Sequence, residues 1–182
     1  MFVQEIKIPE QNIALISPKA EHAEISFKWV SGSKGRQLLA KMGNNLPSNW
    51  EASLKEEQQR INDFLIKEDE INWTITFHDK VIGAVWLDLR EGHLAGPHIM
   101  IAEESVHGKG IATKVLKAVC GWAFTTKTGE LKRFNYNKLI TRCRVDNPPI
   151  IRVLQRLGFK PVDVTYDEDG FTWQNYLLEH WH

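Results

Sequence analysis

Cysteine is scarce in this chain, neither sign of charge is in excess, and no long apolar run occurs. Each absence excludes something. Two cysteines, Cys120 and Cys143, stand in 182 residues. Their spacing makes neither a metal site nor a disulfide framework, so two buried free thiols in a reducing, cytoplasmic setting are expected. Lys plus Arg number 23 and Asp plus Glu number 23, a formal net charge of zero. Nothing therefore draws the whole molecule to nucleic acid or to an anionic membrane, and a charged partner must be held by a local site. No stretch approaches the ~20 apolar residues of a membrane span. The opening residues 1–5 lack a basic segment followed by an apolar one, so no signal peptide is expected. Repeats and low-complexity tracts are missing as well.

What remains is an ordinary globular composition, 42% hydrophobic and 25% charged, with seven Trp to fill a core. The length suits a single domain spanning residues 1–182. Residues 12–16 read as a strand. Ser17-Pro18 predicts a helix start, running to about Val30, and Ser31-Gly32-Ser33-Lys34-Gly35 reads as its break. Ser48 and Glu51 have capping-box spacing before a helical stripe of Trp50, Leu54, Ile61 and Leu65, predicting a helix over 49–67. Ile71, Trp73, Ile75 and Phe77 alternate, and with Val81–Leu89 predict a hairpin. Residues 94–102 follow as a strand, with Ile99 and Ile101 on one face and His98 and Met100 on the other.

The most informative segment comes next. A polar loop, residues 103–110, carries Gly108 and Gly110, and Ile111, Val115, Val119 and Trp122 then recur at helical spacing. A strand thus runs through a glycine-bearing loop into a helix start. Amides of a first helical turn lack intrahelical partners, and the helix dipole makes that end positive. Such a place suits a diphosphate held mostly by backbone, with Lys109 adding charge. The loop is neither a Walker A sequence nor the dinucleotide fingerprint, since position 113 is Thr. Beyond it, Leu139–Val145 reads as a strand, and Asn147-Pro148-Pro149 reads as a helix start with Gly158 as its C-cap. Two final strands flank Asp167-Glu168-Asp169-Gly170.

His107-Gly108-Lys109-Gly110-Ile111-Ala112 resembles the Arg/Gln-x-x-Gly-x-Gly/Ala signature of the GNAT acetyltransferases. The run from Asn147 to Phe159, ending Leu-Gly-Phe, is similar to that superfamily's second motif, and most of all to the ribosomal-protein alanine acetyltransferase branch. The order of elements agrees over nearly the whole chain. The resemblance implies an α/β (α+β) fold, a mixed, mainly antiparallel twisted sheet of about seven strands with about four helices. It also implies transfer of acetyl from acetyl-coenzyme A to a primary amine by direct attack in a ternary complex, without a metal. Ile99, Met100 and Ile101 would pair their backbone with pantetheine, His107, Gly108, Lys109, Gly110, Ile111 and Ala112 would hold the pyrophosphate, and Asn147 would contact the cofactor near its pantetheine arm. Three positions depart from the pattern: His107 replaces Arg or Gln, Ile150 replaces a Ser, and Leu154 replaces a Tyr common elsewhere in the superfamily. This helix therefore offers no acid to the departing thiolate.

An amine protonated at neutral pH needs a base. Asp88, Glu91, His93, His98, Glu103 and Glu104 lie near the carboxyl ends of the central strands. His98 comes first, because it shares a face with Met100 on the strand that would hold the cofactor. Glu103 is the second catalytic candidate. Lys127, Lys132 and Arg133 are candidates for a 3′-phosphate, and Arg142 and Arg144 for phosphates or an acidic acceptor. The acceptor pocket is expected between residues 18–67 and 166–178, with Trp29, Trp50, Trp86 and Trp173 as wall candidates. The expected partner is a small-molecule amine or a peptide N-terminus. A homodimer is compatible with that reading, while nucleic acid and membrane are not expected. Two rival readings remain: an antibiotic acetyltransferase using Glu51, Glu56, Glu57 and Asp63 as an acidic pocket, and an inert acyl-coenzyme A-binding module.

Overall fold

The computed structural model describes residues 5–9, 12–89, 94–125 and 136–179. Glu91, His93, Lys127, Lys132 and Arg133 lie outside the described residues. Eight strands form one sheet, with β1 (Ile6–Ile8), β2 (Ile13–Ile16), β3 (Glu70–Phe77), β4 (Lys80–Leu89), β5 (Leu94–Ile101), β6 (Lys138–Arg144), β7 (Lys160–Glu168) and β8 (Phe171–Glu179). The strand order is β1-β2-β3-β4-β5-β6-β8-β7. Every pairing is antiparallel except β5 with β6. The mixed, mainly antiparallel sheet is thus as expected, with one strand more than the pattern suggested. The extra strand is β1, too short for its alternation to show in the sequence.

Five helices flank the sheet among the described residues: α1 (His22–Val30), α2 (Gly32–Lys41), α3 (Leu54–Ile66), α4 (Ile111–Thr125) and α5 (Pro148–Arg156). The first helix begins four residues later than Ser17-Pro18 suggests. The backbone N–H of Lys19 donates to His22 Nδ1 at 3.1 Å, so a side chain occupies the segment before the helix. The glycine cluster does not end helical structure; only Ser31 is extended, and α2 follows at once. Gly35 makes this corner possible, because a Cβ there would collide with the Val30 backbone. The third helix starts at Leu54 rather than 49, with Ser53 as its extended N-cap. Arg36 explains the delay. Its guanidinium donates to the carbonyls of Pro47, Ser48 and Trp50, holding 47–50 as a turn.

The odd-numbered side of the central strands carries the main core. Ile71, Trp73, Ile75, Val85 and Leu87 pack there with Val115, Leu116 and Val119 of α4, all buried. Trp73 meets Trp122 edge-on at 5.3 Å, a favoured aromatic geometry. The other side of β3 and β4 carries Asn72, Thr74 and Ala84, which with Ser26 and Trp29 of α1 and Ile61 and Phe64 of α3 line one cavity. Both thiols are buried and free, as their spacing suggests. Burial pushes Cys120 up to about 12 and Cys143 up to about 11, where neither is a nucleophile at neutral pH. Among the described residues no helix is long and apolar enough to cross a membrane.

Candidate active site

The site begins where two strands part. The parallel ladder of β5 and β6 holds only Leu94↔Lys138 and Ala95↔Leu139. Two residues on, the Thr141 hydroxyl donates to the Pro97 carbonyl at 2.8 Å, a side chain bridging a gap that the backbone no longer spans. Beyond this the strands separate, and a cleft of about 140 Å³ opens between them. Trp86, His98, Ile99, Arg142, Trp173 and Asn147 are among its walls.

Which groups β5 turns to the cleft follows from strand alternation, since neighbouring residues aim their N–H and C=O at opposite edges. The Pro97 carbonyl faces β6. The Ile101 carbonyl accepts from His107 Nε2 at 2.9 Å, outside the β4 ladder. The Met100 carbonyl points the other way, so close to β4 that a Cβ on Gly83 would strike it. Ile99 therefore offers both its N–H and its C=O to the open edge, whereas Met100 uses its carbonyl toward β4. The Met100 side chain lines the separate cavity under α1 and α3.

The glycine loop follows directly. Residues Glu104–Val106 make a short 3-10 turn, and Gly108 and Gly110 adopt φ of 79° and 75°. Those left-handed conformations favour glycine. A Cβ on either would meet nothing within 4 Å, so the backbone there fronts open space. The His107 and Lys109 amides serve the turn itself, donating to the Glu104 and Val106 carbonyls. The amides of Gly108, Gly110, Ile111, Ala112 and Thr113 have no acceptor among the described residues. Five free donors at a helix start, beside space, fit an anionic diphosphate. Lys109 holds its ammonium 5.9 Å over the Phe77 ring. Asn147 is the N-cap of α5 without a capping hydrogen bond from its side chain and lines the cleft, so its side-chain amide is available there. The helical wall beside it, Ile150 and Leu154, is hydrocarbon.

His98 has a partner that its sequence position did not disclose. Its Nε2 lies 2.8 Å from Asp88 Oδ2, and its ring stacks on Trp86 at 5.2 Å and 11°. Pairing in the sheet produces both contacts: Trp86 stands directly across from His98, and Asp88 is the diagonal neighbour, opposite Gly96. A carboxylate accepting from Nε2–H selects the tautomer whose Nδ1 carries a lone pair. Asp88 is one of the base candidates in the sequence, but its pairing with His98 is not visible there; the two-residue offset between paired strands is the signal available. Glu103 is not brought to this place. Lys80 at 2.7 Å and the Ser105 hydroxyl at 3.0 Å engage its carboxylate and hold it below the usual carboxylate range. Glu104 pairs with Lys34 at 3.4 Å on the surface.

The other wall candidates divide. Trp86 and Trp173 line the cleft. Trp29 lines the cavity under α1, and Trp50 lies beneath Arg36. The acidic residues of α3 turn elsewhere. Glu57 is buried against Ser26 and Arg60, and Asp63 accepts from Gln59. Arg142 and Arg144 both reach the cleft, one over the Trp173 ring and the other over Phe171.

Residues 13–160 match the family model of the acetyltransferase (GNAT) domain. The chain belongs to the GNAT acetyltransferase family. A relative from Caenorhabditis briggsae, the N-acetyltransferase 9-like protein, is 25% identical over 169 residues, covering 87% of this chain and 80% of that protein. Among solved structures, the microcin C7 self immunity acetyltransferase MccE, in complex with acetyl-CoA and AMP, superposes with a TM-score of 0.76 at 16% identity, over 96% of each chain. RimL, a ribosomal L7/L12 alpha-N-protein acetyltransferase bound to coenzyme A, gives 0.74 at 16% identity, over 97% of this chain and 98% of that one. At such identities the two structures speak for the shared GNAT fold.

Proposed function

We propose that this GNAT chain is an acetyl-coenzyme A-dependent N-acetyltransferase whose acceptor is the α-amine of a peptide or protein, or a small primary amine. The observation that carries the reading is the parting of β5 from β6 with His98 on the wall of the gap and Asp88 paired behind it. A free strand edge and the His98 ring line one cleft, and the loop with its unpaired amides follows the same strand.

Acetyl-coenzyme A would supply an activated acyl thioester. The Ile99 edge would hold its pantetheine amides as an added strand, while the amides of residues 108–113 would receive the diphosphate. His107 ties the end of β5 to the loop through Ile101, and so positions the two binding elements relative to each other. Ile99 N–H is the donor best placed for the oxygen that gains charge in the reaction. His98 Nδ1 takes the proton from the attacking nitrogen as the N–C bond forms and the C–S bond breaks, with Asp88 stabilising the imidazolium. Ile150 and Leu154 carry no acid, so the thiolate takes its proton from solvent. Support for an α-amine comes from the second motif's likeness to the ribosomal-protein acetyltransferase branch. The absence of α3 carboxylates from the cleft lining speaks against the antibiotic reading.

Release of free thiol from acetyl-coenzyme A, followed over a panel of peptides, amino acids, polyamines and aminoglycosides, tests the reading. Turnover of at least one amine, lost in His98→Ala, is expected. A silent panel together with tight cofactor binding would identify an inert binding module instead.

A further inference from the structure

The acceptor side of the cleft has a marked electrostatic character. Lys41, Arg142 and Arg144 line it, and no carboxylate does among the described residues. The three cations are not equivalent. Arg144 is committed: it donates to the Ala40 carbonyl and to both oxygens of Asp146. Arg142 is committed on one side only. Its Nη1 serves Tyr166 and Glu168, while Nε and Nη2 have no partner among the described residues. Its guanidinium carbon sits 4.4 Å from the Trp173 ring centroid, so the indole supports the group that carries those two spare donors. Lys41 ends α2 and has no ion pair or hydrogen bond from its side chain among the described residues.

The position of Arg142 relative to the base follows from strand register. Ala95 pairs with Leu139, and three residues further along each parting strand stand His98 and Arg142. The two therefore face each other across the opening, the base on one lip and the half-free guanidinium on the other. Gly43 braces this arrangement from behind. It adopts φ 90°, and a Cβ there would strike the Trp173 ring, so the turn after α2 rests on the indole under Arg142. That contact brings Lys41 to the same wall.

We infer that the acceptor carries a carboxylate close to its amine, as in a peptide with an acidic N-terminal sequence, and that Arg142 and Lys41 hold this carboxylate while the amine reaches His98. The inference rests on the acetyltransferase reading above and narrows its substrate class. A planar guanidinium with two donors in one plane matches a carboxylate bidentately. A polycationic acceptor would meet like charge at both residues, and repulsion discriminates as strongly as attraction. A free acidic amino acid offers the same chemistry as an acidic peptide, so the two belong in one experiment.

The test uses the full chain, acetyl-coenzyme A and peptides identical except at the second residue: Ser-Glu, Ser-Gln and Ser-Lys, with free aspartate and spermidine alongside. The Ser-Glu peptide should exceed Ser-Lys by about tenfold or more in kcat/KM, as charge-assisted hydrogen bonds of this type support. Added salt should shrink that ratio. Lys41→Glu, at an exposed helix end, should bring the ratio toward one or invert it. Arg142→Gln should do the same, with a melting curve to show that the variant is folded. Equal or reversed preference in the native chain overturns the inference, as does a preference that survives both substitutions. Turnover of aspartate without the acidic peptide overturns the peptide assignment. Brisk acetylation of Ser-Lys or spermidine removes this inference and leaves the acetyltransferase reading intact, whereas thiol release from no acceptor at all defeats that reading itself.

Discussion

A histidine in a sheet acquires chemistry from what stands across from it. His98 sits beside Asp88 at 2.8 Å and on the Trp86 face, so its ring has one orientation and one tautomer. His98→Ala is expected to lower kcat by roughly 10²–10⁴-fold, the usual yield of a positioned base. Asp88→Asn should lower it less and leave coenzyme A affinity unchanged; thiol release and calorimetry measure the two. The histidine was legible as a candidate because it shares a strand face with Met100. Its pairing with the Asp88 carboxylate was not, since a partner ten residues away is decided by hairpin register rather than by local spacing. Glu103 shows the opposite case. Its loop position looks catalytic, but Lys80 on the neighbouring strand claims the carboxylate.

Elements hold these residues through backbone geometry. The start of α4 leaves its amides facing open space because Gly108 and Gly110 take positive φ there. Gly110→Val would force a branched side chain into a left-handed conformation, at about 1–2 kcal/mol, and place methyl groups where phosphate should lie. Loss of coenzyme A binding by calorimetry is expected, with a modest drop in melting temperature. Helix α5 depends on a buried anchor. Leu154 is 2% exposed, and Leu154→Ala should cost about 2–5 kcal/mol in a denaturant titration. The substituted position is hydrocarbon in both forms, so any activity that survives would keep its pH profile. Helix boundaries were the least legible part of the chain. Arg36 holds residues 47–50 as a turn from a distance in sequence, and Gly35 permits a corner where a glycine cluster suggests an end.

At the scale of the molecule, the helical layer over β3 and β4 contains a pH-sensitive joint. His22 is buried, and its Nδ1 receives the Lys19 N–H at 3.1 Å and lies 2.8 Å from the Thr74 hydroxyl. Burial is the main cause that lowers its pKa, Lys19 adds to it, and Glu21 opposes. The folded state thus binds the proton less readily than the unfolded chain, whose histidine titrates near 6.5. Below that value the unfolded state holds more protons, so stability falls as pH drops from about 7 through the depressed folded value. Urea midpoints between pH 7 and 5 should decline, and His22→Gln should flatten the decline. An unchanged slope in that variant would assign the acid sensitivity elsewhere.

The sequence by itself determined the fold family, the central hairpin, the glycine loop before α4 and the Asn-Pro-Pro start of α5. These are local matters: alternation, helical spacing, and residues whose φ or missing N–H permits only certain places in the chain. Tertiary structure alone decided where β5 leaves β6, that Asp88 meets His98, and that Arg142 stands across from His98 with donors to spare. Those facts depend on register between strands distant in sequence, and on which charges pair with one another once those strands are in place. No window of neighbouring residues contains that information, because it arises only when the whole sheet closes.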